Sequence, residues 1–283
     1  MSVRLIAIDI DGTLLDSQGN LPNENRLAVC SALDAGIQIV LATGRAFHHA
    51  KPIADIISDR VALIVSNGAI TKRTSGETLA SQLLSREIAK AIIAETRTFR
   101  EGAALIFDRA DKTQYVFERI DWTHPNRQWY YERNSHFMTE VPLLEATLNE
   151  DPAQVAFNGS VQEMRELAVA IRRLPVAESL SVTLTEYEDR DFSLLDIIAA
   201  NWSKGKALEE WARQLELKRE LVMAVGDNLN DREMLEFAGC PVVMGNAVAS
   251  LKSAGWPITA TNDDGGLASA IDAIALEKNS LKA

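Results

Sequence analysis

Three short, almost wholly apolar runs open the chain: 5–8 (LIAI), 37–42 (IQIVLA) and 61–65 (VALIV). Each is rich in β-branched residues and stops at charge, glycine or a small polar residue, the pattern of a strand buried on both faces. Between them, 22–35 places Leu27, Cys30 and Leu33 at helical spacing with Gly36 as the stop, and 46–57 reads as a second helix. Strands alternating with helices predict an α/β fold built on a parallel, Rossmann-like sheet covered on both faces.

The rhythm changes after Leu84. A helix at 86–99 is followed by short strands at 103–107 and 114–118, then by a polar, aromatic stretch, 121–137, holding Trp122, Trp129, Tyr130 and Tyr131. Next come a helix at 142–148, a strand at 155–157, a helix at 161–174 and strands at 181–187 and 192–198. From Lys204 the first rhythm returns. Ala207, Leu208, Trp211 and Leu215 trace a helical face, and 221–225 (LVMAV) is a buried-type strand. A helix through Phe237, a strand at 241–244, a short strand near Ile258 and a last helix with Leu267, Ile271 and Ile274 complete the chain. The expected organisation is therefore a split core, 1–84 with 198–283, and an inserted α+β domain, 85–197.

Polar clusters sit where these strands end. After the first comes Asp9-Ile10-Asp11-Gly12-Thr13, after the second Thr43-Gly44-Arg45, and after LVMAV comes Gly226-Asp227-Asn228-Leu229-Asn230-Asp231. Lys204 opens a helix. A strand's period of two would send Asp9 and Asp11 the same way, and two adjacent carboxylates call for a cation or a proton between them. In open parallel sheets, ligands bind beyond the carboxyl ends of the strands. Each cluster also has a plainer reading: a polar turn at DxDGT, a helix N-cap at Thr43, a solvated side chain at Lys204, a turn and cap at GDNLND.

Composition narrows the class. The chain has 283 residues, 47% hydrophobic, enough for two domains with real cores. Its net charge of -11 argues against a nucleic-acid surface. Cys30 and Cys240 lack metal or disulfide spacing, and no apolar run approaches the length of a membrane span. A cytoplasmic protein that binds neither nucleic acid nor membrane is expected; oligomeric state is left open.

Taken together and in order, DxDGT, Thr43, Lys204 and GDNLND resemble the motifs of the haloacid dehalogenase superfamily. TGR at 43–45, SNGA at 66–69 and the closing MGNA…TNDDGGLASAI are similar to its Cof-type phosphatase branch. Trp202 departs from the hydrophobic-Ser-Lys-Gly pattern around the lysine, and Lys206 is a competing lysine. The resemblance implies a Mg²⁺-dependent hydrolase of small phosphate monoesters: sugar phosphates, nucleotides, or cofactor phosphates such as pyridoxal phosphate or FMN. Asp9 would be the nucleophile, forming an aspartyl-phosphate, and Asp11 the general acid and base. Mg²⁺ would sit on Asp9, the Asp11 backbone carbonyl and Asp227. Thr43, Gly44, Lys204 and Asn230 would hold the phosphate, with Asp231 behind them, and the insertion would be a cap that closes over the site. Trp122, His124, Arg127, Trp129 and Tyr130 are open between substrate contact and local packing, and Arg45 between substrate, cap and surface. The rival functions are a phosphomutase using the same intermediate and a non-enzymatic phosphoacceptor module.

Overall fold

The computed structural model describes residues 3–276. The chain forms two compact units, Met1–Ala80 with Ser203–Ala283, and Ser81–Trp202. The first unit opens with β1 (Leu5–Asp9), α1 (Asn23–Asp34), β2 (Gln38–Ala42), α2 (Phe47–Ile57) and β3 (Ala62–Val65), followed by two short strands, β4 (Ile70–Arg73) and β5 (Thr78–Ser81). The second unit runs α3 (Arg86–Glu95), β6 (Ala103–Ile106), β7 (Tyr115–Phe117), α4 (Pro125–Asn134), β8 (Met138–Glu140), β9 (Gln154–Gly159), α5 (Val161–Ile171), β10 (Leu180–Tyr187) and β11 (Phe192–Ala199). The chain then completes the first unit with α6 (Lys204–Gln214), β12 (Val222–Gly226), α7 (Arg232–Phe237), β13 (Cys240–Val243), α8 (Ala249–Lys252) and α9 (Gly266–Ala270).

The sheet of the first unit has the order β13-β12-β1-β2-β3-β4-β5. Its five strands from β13 to β3 are parallel, with Ala7 paired to Ala224 on one side and Val40 on the other. Because β1 is followed by β2 on one flank and meets the late strand β12 on the other, strand order reverses beside β1. That reversal opens the crevice where such sheets bind ligands. Every residue of β1, β3 and β12 is buried, which is why these runs show no polar alternation.

Two local expectations are corrected here. In α1 the buried face is Asn25, Ala28, Val29, Ala32 and Leu33, while Leu27 is 50% exposed. A run spaced by three drifts about 60° per step around a helix, whereas the 25/28/29/32 series stays on one face. The sheet is also not wholly parallel. β4 pairs antiparallel with β3, and β5 follows it at the edge. The polar sequences ITKR and TLAS, joined through Gly76 at φ +94, lack the apolar run that marks the interior strands.

The second unit is a six-stranded sheet, β10-β11-β9-β6-β7-β8, antiparallel except for the β7–β8 pair. Ala89, Ile92 and Ile93 of α3 and Met164, Leu167, Ala168 and Ile171 of α5 share a core with Leu105, Val155, Phe157, Leu195 and Ile197. A reciprocal Ser160–Glu163 capping box fixes the start of α5. The aromatic stretch contains α4, which begins at Pro125 and buries no residue fully, so no apolar stripe announces it. Its rings pack locally: Trp122 stacks on Tyr130 and Tyr131, and Trp129 meets Tyr187 and Phe192 edge-on. The helix expected at 142–148 is a single 3₁₀ turn, Leu144–Thr147. Among the described residues no helix is long and apolar enough to cross a membrane.

Candidate active site

β1 ends at Asp9, and the chain turns at once. Ile10–Leu14 forms a wide helical turn closed by the Leu15 N–H on the Ile10 carbonyl at 3.0 Å. The strand period therefore does not extend to Asp11, and the two carboxylates take different partners. Gly12 turns at φ +81, and a Cβ there would lie 2.3 Å from Asp227 Oδ2, so backbone and neighbour both require glycine.

Lys204 is the hub of the site. As the first residue of α6, directly after the N-cap Ser203, it is carried inward and is 1% exposed. Its Nζ donates to Asp9 Oδ1 at 2.6 Å and to Asp231 Oδ1 at 2.8 Å. Asp231 is occupied on its other oxygen too, since Oδ2 accepts the backbone N–H groups of Asp227 and Asn228, each at 3.0 Å. Lys206 instead pairs with Glu209 on the exposed side of α6.

Asp9, Asp227 and Asp231 bring carboxylate oxygens within 4.8 Å of one another. Asp11 is not in this group: Arg45 grips both its oxygens, Nε to Oδ2 at 2.7 Å and Nη2 to Oδ1 at 2.6 Å. Burial, then the charge of Asp231, pushes the Asp9 carboxyl up to about 8 despite the pull of Lys204. Asp227 is raised as well, first by burial and then by Asp9 and Asp231. Burial pulls the Lys204 ammonium down, but Asp231 and Asp9 together hold its value above the ordinary lysine range. Asp227 Oδ1 is buried and accepts no hydrogen bond. An all-oxygen set, crowded with negative charge and holding an unsatisfied buried carboxylate oxygen, fits a hard divalent cation rather than a thiolate-seeking metal.

The remaining expected residues lie in the loops after β2, β3 and β12. Thr43 is buried, and its hydroxyl accepts the Arg45 N–H at 3.1 Å. A Cβ on Gly44 would come within 3.2 Å of the Asn67 amide, and Asn230 Nδ2 donates to Asn67 Oδ1 at 3.1 Å. Thr43 and Gly44 are thus joined to Asn230 through Asn67. The loop that carries Asn67 runs through three consecutive left-handed residues, Ser66 at φ +50, Asn67 at +54 and Gly68 at +106. Non-glycine residues held there cost on the order of 1–3 kcal/mol each. Hydrogen bonds from Ser66 N to the Arg45 carbonyl and from Asn67 N to the Thr43 carbonyl bind this loop to the one after β2.

The sequence left Arg45 open between substrate, cap and surface, and assigned Asn67 and Asn246 no role; Arg45 pairs with Asp11. Asn246 Nδ2 donates to the Gly12 carbonyl at 2.8 Å, and its Oδ1 accepts Asn262 N–H at 2.9 Å. Asn262 Nδ2 in turn donates to the Leu15 carbonyl at 2.9 Å. The closing GNA and TND segments therefore brace the DxDGT turn. The tripeptides TGR, SNG and GNA were the available signals; their roles depend on loops meeting in space.

Comparison with known proteins agrees over nearly the whole chain. The profile of the haloacid dehalogenase-like hydrolases matches residues 6–271. The phosphatase YwpJ of Bacillus subtilis (strain 168) is 30% identical over 94% of this chain and 98% of its own length. The 5-amino-6-(5-phospho-D-ribitylamino)uracil phosphatase YwtE of the same organism is 27% identical over 95% of this chain and 97% of its own. A haloacid dehalogenase-like hydrolase structure from B. subtilis superposes with a TM-score of 0.82 at 25% identity, covering 95% of this chain and 99% of that one.

Proposed function

This chain belongs to the haloacid dehalogenase-like hydrolases and is a phosphohydrolase, and from that premise we propose that it cleaves small phosphate monoesters with Mg²⁺ through an aspartyl-phosphate on Asp9. The observation that carries the reading is Lys204 joining Asp9 to Asp231 beside the unsatisfied Asp227 oxygen. Asp9 and Asp227, with the Asp11 backbone carbonyl, would hold the cation, which supplies positive charge against the phosphate oxygens. Lys204 holds Asp9 in place as nucleophile and, with Thr43, the Gly44 amide and Asn230, donates to the phosphate. Asp231 fixes Lys204 from behind.

In the first half-reaction an Asp9 oxygen bonds to phosphorus, the bond to the leaving oxygen breaks, and Asp11 gives that oxygen a proton. In the second, Asp11 takes a proton from water, the water oxygen attacks phosphorus, and the Asp9 carboxylate is released. A carboxylate held at both oxygens by Arg45 has no proton to give, so the acid step requires Arg45 to release one oxygen as substrate enters. The first unit is then the catalytic core, and the inserted unit a cap that selects the leaving group. Substrates in the class of sugar phosphates, nucleotides or cofactor phosphates fit this reading, as a phosphorylated metabolite does the named relative. Two free thiols fit a cytoplasmic setting.

The test is phosphate release from a panel of monoesters, with Mg²⁺ and with EDTA. Turnover is expected only with the metal, and is expected to be lost in Asp9→Asn and cut by about 10²–10⁴ in Asp11→Asn. Wild-type rates in Asp9→Asn would remove the nucleophile assignment. Isomerised product in place of free phosphate would make the protein a mutase.

A further inference from the structure

The loop after β3 is built at a cost and placed at the phosphate loops, yet no step above uses it. Ser66, Asn67 and Gly68 are all left-handed, and their backbone is bonded to the Thr43 and Arg45 carbonyls. Gly68 cannot be replaced cheaply, since a Cβ would lie 2.2 Å from the Ser203 carbonyl oxygen, one residue before Lys204. The loop is thus wedged between the Thr43-Gly44 turn and the start of α6. It presents one buried amide, that of Asn67, against Gly44 on one side and Asn230 on the other.

We propose that Asn67 is a positioning residue of the phosphate pocket: its side-chain oxygen fixes which end of the Asn230 amide faces the substrate phosphate. An asparagine amide has a donor end and an acceptor end of nearly the same shape. With Asn230 Nδ2 bonded to Asn67 Oδ1, the NH₂ group is held at the pocket with a second proton to offer an anion. Without that bond the amide can rotate and turn its carbonyl toward the phosphate, replacing attraction with repulsion. The left-handed backbone at Asn67 is what brings its side chain between the two loops. Strain maintained beside a binding site, where glycine would relieve it, is the sign of a function.

This inference rests on the phosphate role of Asn230 proposed above. The experiment compares wild type, Asn67→Gly, Ser66→Gly, Asn230→Ala and the double variant Asn67→Gly/Asn230→Ala. The readouts are kcat/KM on the best monoester, inhibition by inorganic phosphate, and the thermal midpoint. Asn67→Gly is expected to weaken phosphate inhibition tenfold or more with a matching fall in kcat/KM, at an unchanged or higher midpoint. Ser66→Gly, which relieves strain without touching the amide pair, is expected to keep wild-type phosphate inhibition. The double variant is expected to be no weaker for phosphate than Asn230→Ala, because Asn67 acts through that residue. Wild-type phosphate inhibition in Asn67→Gly, losses that multiply in the double variant, or a midpoint well below wild type would each overturn the proposal. A wild type that releases no phosphate would instead overturn the phosphatase reading, so the two failures are told apart.

Discussion

At the scale of single residues, Lys204 sets the electrostatics of the site. It is buried between two carboxylates that it neutralises only in part. Lys204→Met would leave Asp9 and Asp231 buried without their cation. It is expected to lower stability by about 3–5 kcal/mol, measured by denaturant unfolding, and to remove turnover. The raised Asp9 carboxyl gives a pH test. Its folded value, about 8, lies above its unfolded value, so the metal-free native state binds more protons than the unfolded chain between roughly pH 4 and 8. Stability in EDTA should therefore fall as pH rises through that window. A cation at Asp9 and Asp227 favours their ionised forms, so Mg²⁺ should raise the melting temperature more at pH 8 than at pH 5, a difference that thermal melts with and without metal would show. Asp9 and Asp227 were legible in the sequence as strand-end carboxylates because Asp9 directly follows an apolar run and Asp227 follows another after one glycine. The grip of Arg45 on Asp11 was not, because it joins positions 34 apart in loops whose approach only the folded sheet defines.

At the scale of elements, legibility followed an unbroken apolar run rather than burial, since β4 is largely buried with the sequence ITKR. β1, β3 and β12 are apolar on both faces and stand out in the sequence, whereas β4, β5 and α4 lack a continuous apolar face and do not. The start of α5 is a counter-case, fixed by polar residues. The Ser160 side chain accepts the Glu163 N–H at 3.3 Å, and Glu163 Oε2 accepts the Ser160 N–H at 2.8 Å. Ser160→Ala should cost about 0.5–2 kcal/mol in unfolding free energy. Because the hydrogen bonds of Ser160 run to Glu163 and Met164, neither assigned to phosphate chemistry, the change should leave kcat/KM unchanged, which steady-state kinetics on the same preparation would check.

At the scale of the whole molecule, strands alternate with helices towards both ends of the chain, and those two stretches belong to one compact unit. The register by which the late strand β12 joins β1, with Leu5 beside Val222, is tertiary information that spacing along the chain does not contain. That pairing has a consequence for how the protein comes into being on the ribosome. The Lys204–Asp9 bond spans 195 positions, and the intervening unit is a single uninterrupted stretch. At about 5–20 residues per second, roughly 10–40 s separate synthesis of Asp9 from that of Lys204. When Lys204 has been made, β1 still lacks its β12 neighbour, while the inserted unit already has every strand of its own sheet. The part of the chain made second can therefore fold first, and the cluster of Asp9, Lys204 and Asp231 is among the last features to form.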